Sequence, residues 1–286
     1  MHLPRQLLFS ILPMLLLACG SPSVSQTESA DIQSAAKGMV DDAAKAMNDV
    51  GPTIPDWLPQ DAAARKRELT GRIDPETHPD FVKLVDRYTD GDGVYLLRRR
   101  TANAVEQMID SAKRDGVKLR VRSSTRNFDR QAQIWGAKWR GERTLSNGVN
   151  LGKTNMSDSA KARMILLYSS MPGTSRHHWG TDIDFNAFEN DYFKTGKGLA
   201  EYEWLKSHAA HFGFYQPYIS KENGRTGYEE ERWHWSYRPL SLKLTELYKA
   251  EVTYADISGF DGAEVAPSVG AIEEYVLGLN EGLIPD

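Results

Sequence analysis

The sequence predicts an α+β fold, a small antiparallel sheet flanked by helices. Three observations carry that expectation: helical and strand-like periodicities follow one another in irregular order, few segments have the spacing of parallel crossover units, and the aromatic-rich segments around Phe214 and Trp233 read as strands. The chain has 286 residues, 40% apolar and 26% charged, enough for one sizeable core or two small ones. A purely disordered scaffold is excluded.

Taken in order, the chain opens with an address. Met1 to Gln6 carries the positive charge of Arg5, and Leu7 to Ala18 is an apolar run interrupted only by Ser10 and Pro13. A membrane-spanning helix needs roughly 20 apolar residues, so the run fits the apolar region of a secretory signal peptide over residues 1–18. Residues 19–74, rich in Ser, Ala, Asp and Gly at first, read as a tether with one short helix around Ala35 to Met47.

Beyond Pro75 the periodic segments begin. Thr101 is placed to cap a helix whose apolar positions Ala104, Val105, Met108, Ile109 and Ala112 recur at helical spacing, ending at Gly116. Val117, Leu119 and Val121 alternate with basic residues, the period of a half-buried strand. A polar loop, Ser123 to Asn127, leads into a second helix from Phe128 to Trp139, and a third covers Ser157 to Tyr168. A fourth runs from Leu199 to Phe212 and stops at Gly213. Residues 241–286 form a C-terminal extension with helices over Leu240 to Lys249 and Ala271 to Asn280 packed on the surface, so the central domain spans residues 75–240.

Charge and cysteine usage narrow the chemistry. Thirty-five basic against thirty-nine acidic residues give a net charge of -4 without a long Lys/Arg run, so nucleic acid is not an expected partner. The single cysteine, Cys19, forms no intramolecular disulfide and no multi-cysteine zinc site. Any metal must be held by His, Asp or Glu. Of the seven histidines, His177 and His178 in SRHHWGTDIDF and His234 in EERWHWSY lie in informative settings. His177 and Asp184 would be roughly 23 Å apart on one extended strand, too far to share an ion, so a turn must intervene; Gly180 permits it. In a strand around His234, Trp233 and Trp235 would point away from it into the core. Glu231 needs a bend near Arg232 to reach the same face. Asp182 and Asp184 share a face, so either carboxylate could reach an ion, and the spacing from His177 favours Asp184. Only one of His177 and His178 can join such a site if they are neighbours on a strand.

Two resemblances now enter. Leu16-Leu17-Ala18-Cys19 resembles the lipobox of bacterial lipoproteins, which implies lipidation of Cys19, attachment to a membrane through that lipid anchor, and a periplasm-facing place in the cell envelope. Gly20 after the cysteine resembles the pattern sorted to the outer membrane where a cell has two. Ser175-x-His177-x-x-Gly180-x-x-x-Asp184, followed by Glu231-x-Trp233-His234 and preceded by Thr125-Arg126-Asn127-Phe128-Asp129-Arg130-Gln131, resembles the LAS superfamily of zinc peptidases, most closely its VanY-type D-alanyl-D-alanine carboxypeptidases. Thr125 stands where that family commonly has tyrosine, and Asp182 where it has a small residue. The resemblance covers roughly Val85 to Pro239 and implies the LAS/hedgehog-like fold and one Zn2+ per chain, held by His177, Asp184 and His234. It further implies Glu231 as general base, Arg126 as substrate and transition-state clamp, Gln131 and Ser175 as substrate contacts, and peptidoglycan stem peptides as substrate of a monomeric enzyme.

Bland readings stand beside these. A histidine between two tryptophans is more often packed than ligating, Arg126 is also readable as a solvated loop residue, and Ser175 as the start of a turn. His208 and His211 lack an acidic partner and read as packing. Together the motifs favour a zinc-dependent D-alanyl-D-alanine carboxypeptidase. An L,D-carboxypeptidase, an endopeptidase of the same superfamily and a non-catalytic peptidoglycan-binding module are the alternatives, because pocket shape, not the ligand set, reads substrate length and stereochemistry.

Overall fold

The computed structural model describes residues 52–284 except Asp92. The expected signal peptide, Cys19 and the helix expected around 35–47 lie outside the described residues. Among the described residues the α-helices and strands follow one another as α1 (Ala62–Leu69), β1 (Phe81–Lys83), β2 (Leu96–Arg98), α2 (Arg99–Arg114), β3 (Val121–Ser123), α3 (Phe128–Trp139), α4 (Asp158–Ile165), β4 (Asp182–Phe185), α5 (Gly196–His208), β5 (Phe214–Tyr215), β6 (His234–Tyr237) and α6 (Arg238–Glu251). The expected α+β class with a small antiparallel sheet is what the chain adopts. Four strands pair in the order β3-β4-β6-β5, and β1 with β2 forms a separate antiparallel ribbon. Among the described residues no helix is long and apolar enough to cross a membrane.

The register of the sheet decides where polar side chains go. Asp182 lies opposite Ser236, Ile183 opposite Trp235 and Asp184 opposite His234. Successive residues of a strand face opposite sides. Ile183, Trp235 and the neighbouring Trp233 therefore join a core with Val105, Met108 and Ile109 of α2 and Leu205 of α5. Asp182, Asp184, His234 and Ser236 share the other face. Behind that polar face a second core collects Trp135 of α3, Ile165 of α4, Trp179, and Leu244, Leu247 and Tyr248 of α6.

Local signals placed several elements well. Asn127 caps α3, its side chain accepting from the Arg130 amide, and Ser157 caps α4 in the same way. Other expectations need correction. Thr101 is not a cap; it lies buried inside α2, which begins at Arg99 against the end of β2. The strand expected from Val117 starts only at Val121, although Leu119 is already buried. The fourth helix begins at Gly196, and Ala209–Phe212 tightens into a 3-10 turn before Gly213, whose φ of 83° permits the reversal. The helix expected over 271–280 is a short π-type turn, Ala271–Val276.

Both domain boundaries shift as well. The last part of the expected tether, from Pro52 to residue 74, is folded: Leu58 and Leu69 enter the second core, and the Trp179 indole donates to the Leu69 carbonyl at 2.9 Å. Residue 240 falls inside α6, whose buried face is part of that core rather than a surface attachment. The C-terminal residues are thus continuous with the central domain.

Truncating Leu69 to Ala should lower unfolding free energy by about 2–5 kcal/mol, as for other core leucines. Chemical denaturation of the variant checks this; a loss below about 0.5 kcal/mol, typical of surface sites, would return this segment to the status of a tether.

Candidate metal centre

Three segments converge on the polar face of the sheet. The first runs from Ser175 through a 3-10 turn, Arg176–Trp179, and reverses at Gly180, which sits at φ 69°. A Cβ there would strike the Phe81 ring at 2.4 Å, so the turn is open to glycine alone. It delivers His177 and then β4 to the same place, supplying the reversal that the spacing of His177 and Asp184 requires. The second segment is β6, where pairing sets His234 directly across from Asp184. The third is the turn before β6, where the His234 amide donates to the Glu231 carbonyl and brings the Glu231 side chain to the same face. That is the bend expected near Arg232.

The geometry suits a small divalent ion. Nε2 of His177 lies 3.4 Å from Oδ2 of Asp184, and Nδ1 of His234 lies 3.6 Å from Oδ1 of Asp184. One ligand atom from each of the three falls within 4.8 Å of the others. Ligands at zinc bond lengths around a tetrahedral ion stand roughly 3.3 Å apart. Nε2 of His177 and Oδ1 of Asp184 are buried with no hydrogen-bond partner among the described residues. A buried polar atom without a partner is costly, and a shared cation would satisfy both.

Each imidazole is turned toward this point by its other nitrogen. Nδ1 of His177 is 2.8 Å from the Ser124 carbonyl, which can only accept, so the proton is on Nδ1 and the Nε2 lone pair is free. Burial, and then the Arg126 charge, push its pKa down, which keeps the ring neutral. His178 is excluded for a reason the strand argument did not foresee: it lies on a 3-10 turn and both its nitrogens are engaged. Nδ1 donates to the Arg126 carbonyl at 2.6 Å and Nε2 accepts from the Gly173 amide at 3.0 Å. Burial drives its pKa down to about 3, so it is a neutral structural strut.

Asp182, the competing carboxylate, is also engaged elsewhere. It meets Nε2 of His234 at 2.9 Å and the buried Arg176 guanidinium at 3.1 Å. Burial works against its ionisation, but Arg176 and His234 hold it well below the usual carboxylate range. Asp184 is likewise held low against its burial by His177 and His234. Glu231 shows the opposite balance. Burial raises its pKa, and His234, whose Nδ1 is 2.9 Å from Oε2, only partly offsets this. A carboxylic acid held higher than its neighbours is suited to take up and return a proton.

The remaining sequence candidates ring the centre. Arg126 donates its amide to the His177 carbonyl, and its charge bears on His177, Asp184 and Glu231; its Nε has no partner among the described residues. Ser175 precedes the 3-10 turn, yet its hydroxyl makes no cap bond and is buried without a partner among the described residues. Gln131 donates to the Ser170 carbonyl at 2.7 Å, leaving its buried Oε1 unpaired among the described residues. His208 donates to the Trp204 carbonyl and stacks on that indole, away from the site.

Three contributors escaped the sequence reading. Arg176 and the Ser124 carbonyl act through the histidines and carry no motif of their own. Lys138 of α3 donates to Ser169 Oγ and lies near Arg126 and Glu231; burial and the charges of Arg143 and Arg126 lower its pKa to about 8. Its i+7 spacing from Gln131 along α3, two helical turns, was the available signal.

Comparisons with known proteins identify the family of the chain. The VanY family, described as D-alanyl-D-alanine carboxypeptidase, matches residues 95–240. The Bacillus subtilis protein YodJ is 31% identical over 146 residues, covering 49% of this chain and 46% of the relative. The D-alanyl-D-alanine carboxypeptidase of Enterococcus faecalis is 29% identical over 149 residues, 52% and 50% of the two chains. The chain thus spans about half the length of these curated relatives. Among solved structures, VanYB in complex with D-alanine-D-alanine is 24% identical with a TM-score of 0.44, covering 62% of this chain and 87% of that one.

Burial lowers the pKa of His234, but the stronger pull of Asp182, Glu231 and Asp184 leaves it raised, so an incoming ion must displace a proton from Nδ1. Zinc affinity is therefore expected to weaken as pH falls. In equilibrium dialysis, alanine at His177, Asp184 or His234 should abolish stoichiometric uptake, while His208→Ala should not. Unchanged uptake by Asp184→Ala would remove that carboxylate from the centre.

Proposed function

Because the chain belongs to the VanY family of D-alanyl-D-alanine carboxypeptidases, matched over residues 95–240 of its 286, we propose that it is a zinc-dependent carboxypeptidase that removes the terminal D-alanine of peptidoglycan stem peptides. The observation that carries this reading is the buried cluster of His177, Asp184 and His234 with Glu231 beside it. Zinc bound there would lower the pKa of water to about 7 and polarise the scissile carbonyl.

The protein's own groups supply the rest. Glu231 takes the proton of the attacking water on its carboxylate and returns it to the leaving amine; its raised pKa suits both steps. Arg126 offers a planar fork of donors to the substrate's terminal carboxylate or to the oxyanion that develops on the scissile carbonyl. Ser175 and Gln131 present the unpaired Oγ and Oε1 to the peptide backbone. In this reading Cys19 carries a lipid that holds the enzyme at the envelope, facing the wall it trims.

The test is release of free D-alanine from defined wall peptides. A pentapeptide ending in D-alanyl-D-alanine should lose one D-alanine, and a chelator should stop the reaction until zinc is restored. Glu231→Gln should keep its metal and lose about 100-fold to 10,000-fold in kcat. Release from a tetrapeptide but not from the pentapeptide would reassign the enzyme as an L,D-carboxypeptidase. Metal-independent binding of the peptide with no release would make the domain a binding module.

A further inference from the structure

Position 182 carries a carboxylate. The carboxylate sits where β4 pairs with β6, opposite Ser236 and two residues before Asp184. Neither of its oxygens is free. Oδ1 accepts from the Thr181 hydroxyl at 2.8 Å and from the Ser236 hydroxyl at 2.7 Å. Oδ2 accepts from Arg176 Nε at 3.1 Å and from His234 Nε2 at 2.9 Å. Four donors fill the roughly four acceptor positions of a carboxylate, so no lone pair remains for an ion.

The partner of Asp182 is held just as completely. Arg176 spends its other nitrogens on Thr245 Oγ1 at 2.8 Å and Ser236 Oγ at 2.9 Å, and its guanidinium lies over the Trp179 ring. Both side chains of the pair are 0% exposed. A fully buried ion pair is a poor source of stability, since desolvation consumes most of the attraction. What this one does is directional. The acceptor at Nε2 requires the proton of a neutral His234 to sit on that nitrogen, which leaves the lone pair on Nδ1, the atom facing Asp184 and Glu231.

We propose that Asp182, fixed by Arg176, is a positioning residue of the metal centre: it sets the tautomer and ring orientation of His234 so that Nδ1 is presented to the ion. It acts through His234 and touches neither metal nor substrate. The inference rests on the reading of His234 as a ligand and adds to it an outer partner for that imidazole. Such outer partners of metal-bound imidazoles change metal affinity about 10-fold to 100-fold when removed.

The experiment measures zinc affinity by chelator competition together with thermal unfolding of the metal-free protein. Asp182→Ala alone strands a buried guanidinium and can fail to fold, so the decisive variant removes both charges, Arg176→Leu with Asp182→Ala. It should unfold at or above the parent's temperature and bind zinc about 10-fold to 100-fold more weakly. Asp182→Asn, which keeps an acceptor oxygen toward His234, should lose less. A folded double variant with the parent's affinity overturns the proposal. In the zinc-loaded parent, long-range proton–nitrogen spectra should show His234 protonated at Nε2 and ligated at Nδ1, and the opposite tautomer overturns it without any substitution. A parent that takes up no zinc removes the metal reading and this inference together, whereas a parent that binds zinc beside an equally tight double variant removes this inference alone.

Discussion

The antiparallel pairing of β4 with β6 is the constraint on which the rest depends. One register sets Asp184 against His234 and Asp182 against Ser236, while turning Ile183 and Trp235 the other way into the core. A slip of one residue would exchange the two faces. In β4 it would bury carboxylates among Val105, Met108 and Trp235 and present an isoleucine to the metal position. The cost of that exchange in desolvated charge and lost apolar burial holds the register. The hydrophobic core and the functional centre are thus two readings of a single strand alignment.

Electrostatics gives the same face its specificity. Asp182, Asp184 and Glu231 are buried around the centre, and against them stands the equally buried Arg176. With neutral histidines and all three carboxylates ionised, this buried set carries two negative charges beyond what Arg176 balances, the charge of one divalent ion. In a poorly solvated interior that imbalance is far more expensive than at a surface. The cluster divides the work among its carboxylates by environment. Asp182 is saturated by donors, Asp184 keeps an open oxygen, and Glu231 is pushed by burial toward protonation. Arg126 and Lys138 stand at the margin as the nearby cations.

What could be read in the sequence was what local rules determine. The cap at Asn127 fixed the start of α3, the need for a reversal between His177 and Asp184 pointed to Gly180, and the tryptophans on either side of His234 announced which way that histidine faces. What could not be read depends on partners distant along the chain. Leu69 is buried because the loop around Trp179 lies over it, and nothing within residues 52–74 reports this. Thr101 has the composition of a cap, but β2 runs directly into α2 and starts the helix earlier. Arg176 reads as one more loop arginine until Asp182, Ser236 and Thr245 close around it. His178 lies on a 3-10 turn rather than a strand, and its ring is held by the Arg126 carbonyl and the Gly173 amide, partners that no local pattern announces.

The packing of α1 ties three separate parts of the domain together. Glu68 is bonded to Arg98, the Leu69 carbonyl holds the Trp179 indole, and the Gly71 carbonyl takes the first amide of α3. These three ties reach the ribbon, the histidine loop and the helix that follows Arg126. Each of these bonds, if lost, would slacken the support of the loop that carries His177. Integrity of α1 and the geometry of the centre are therefore coupled.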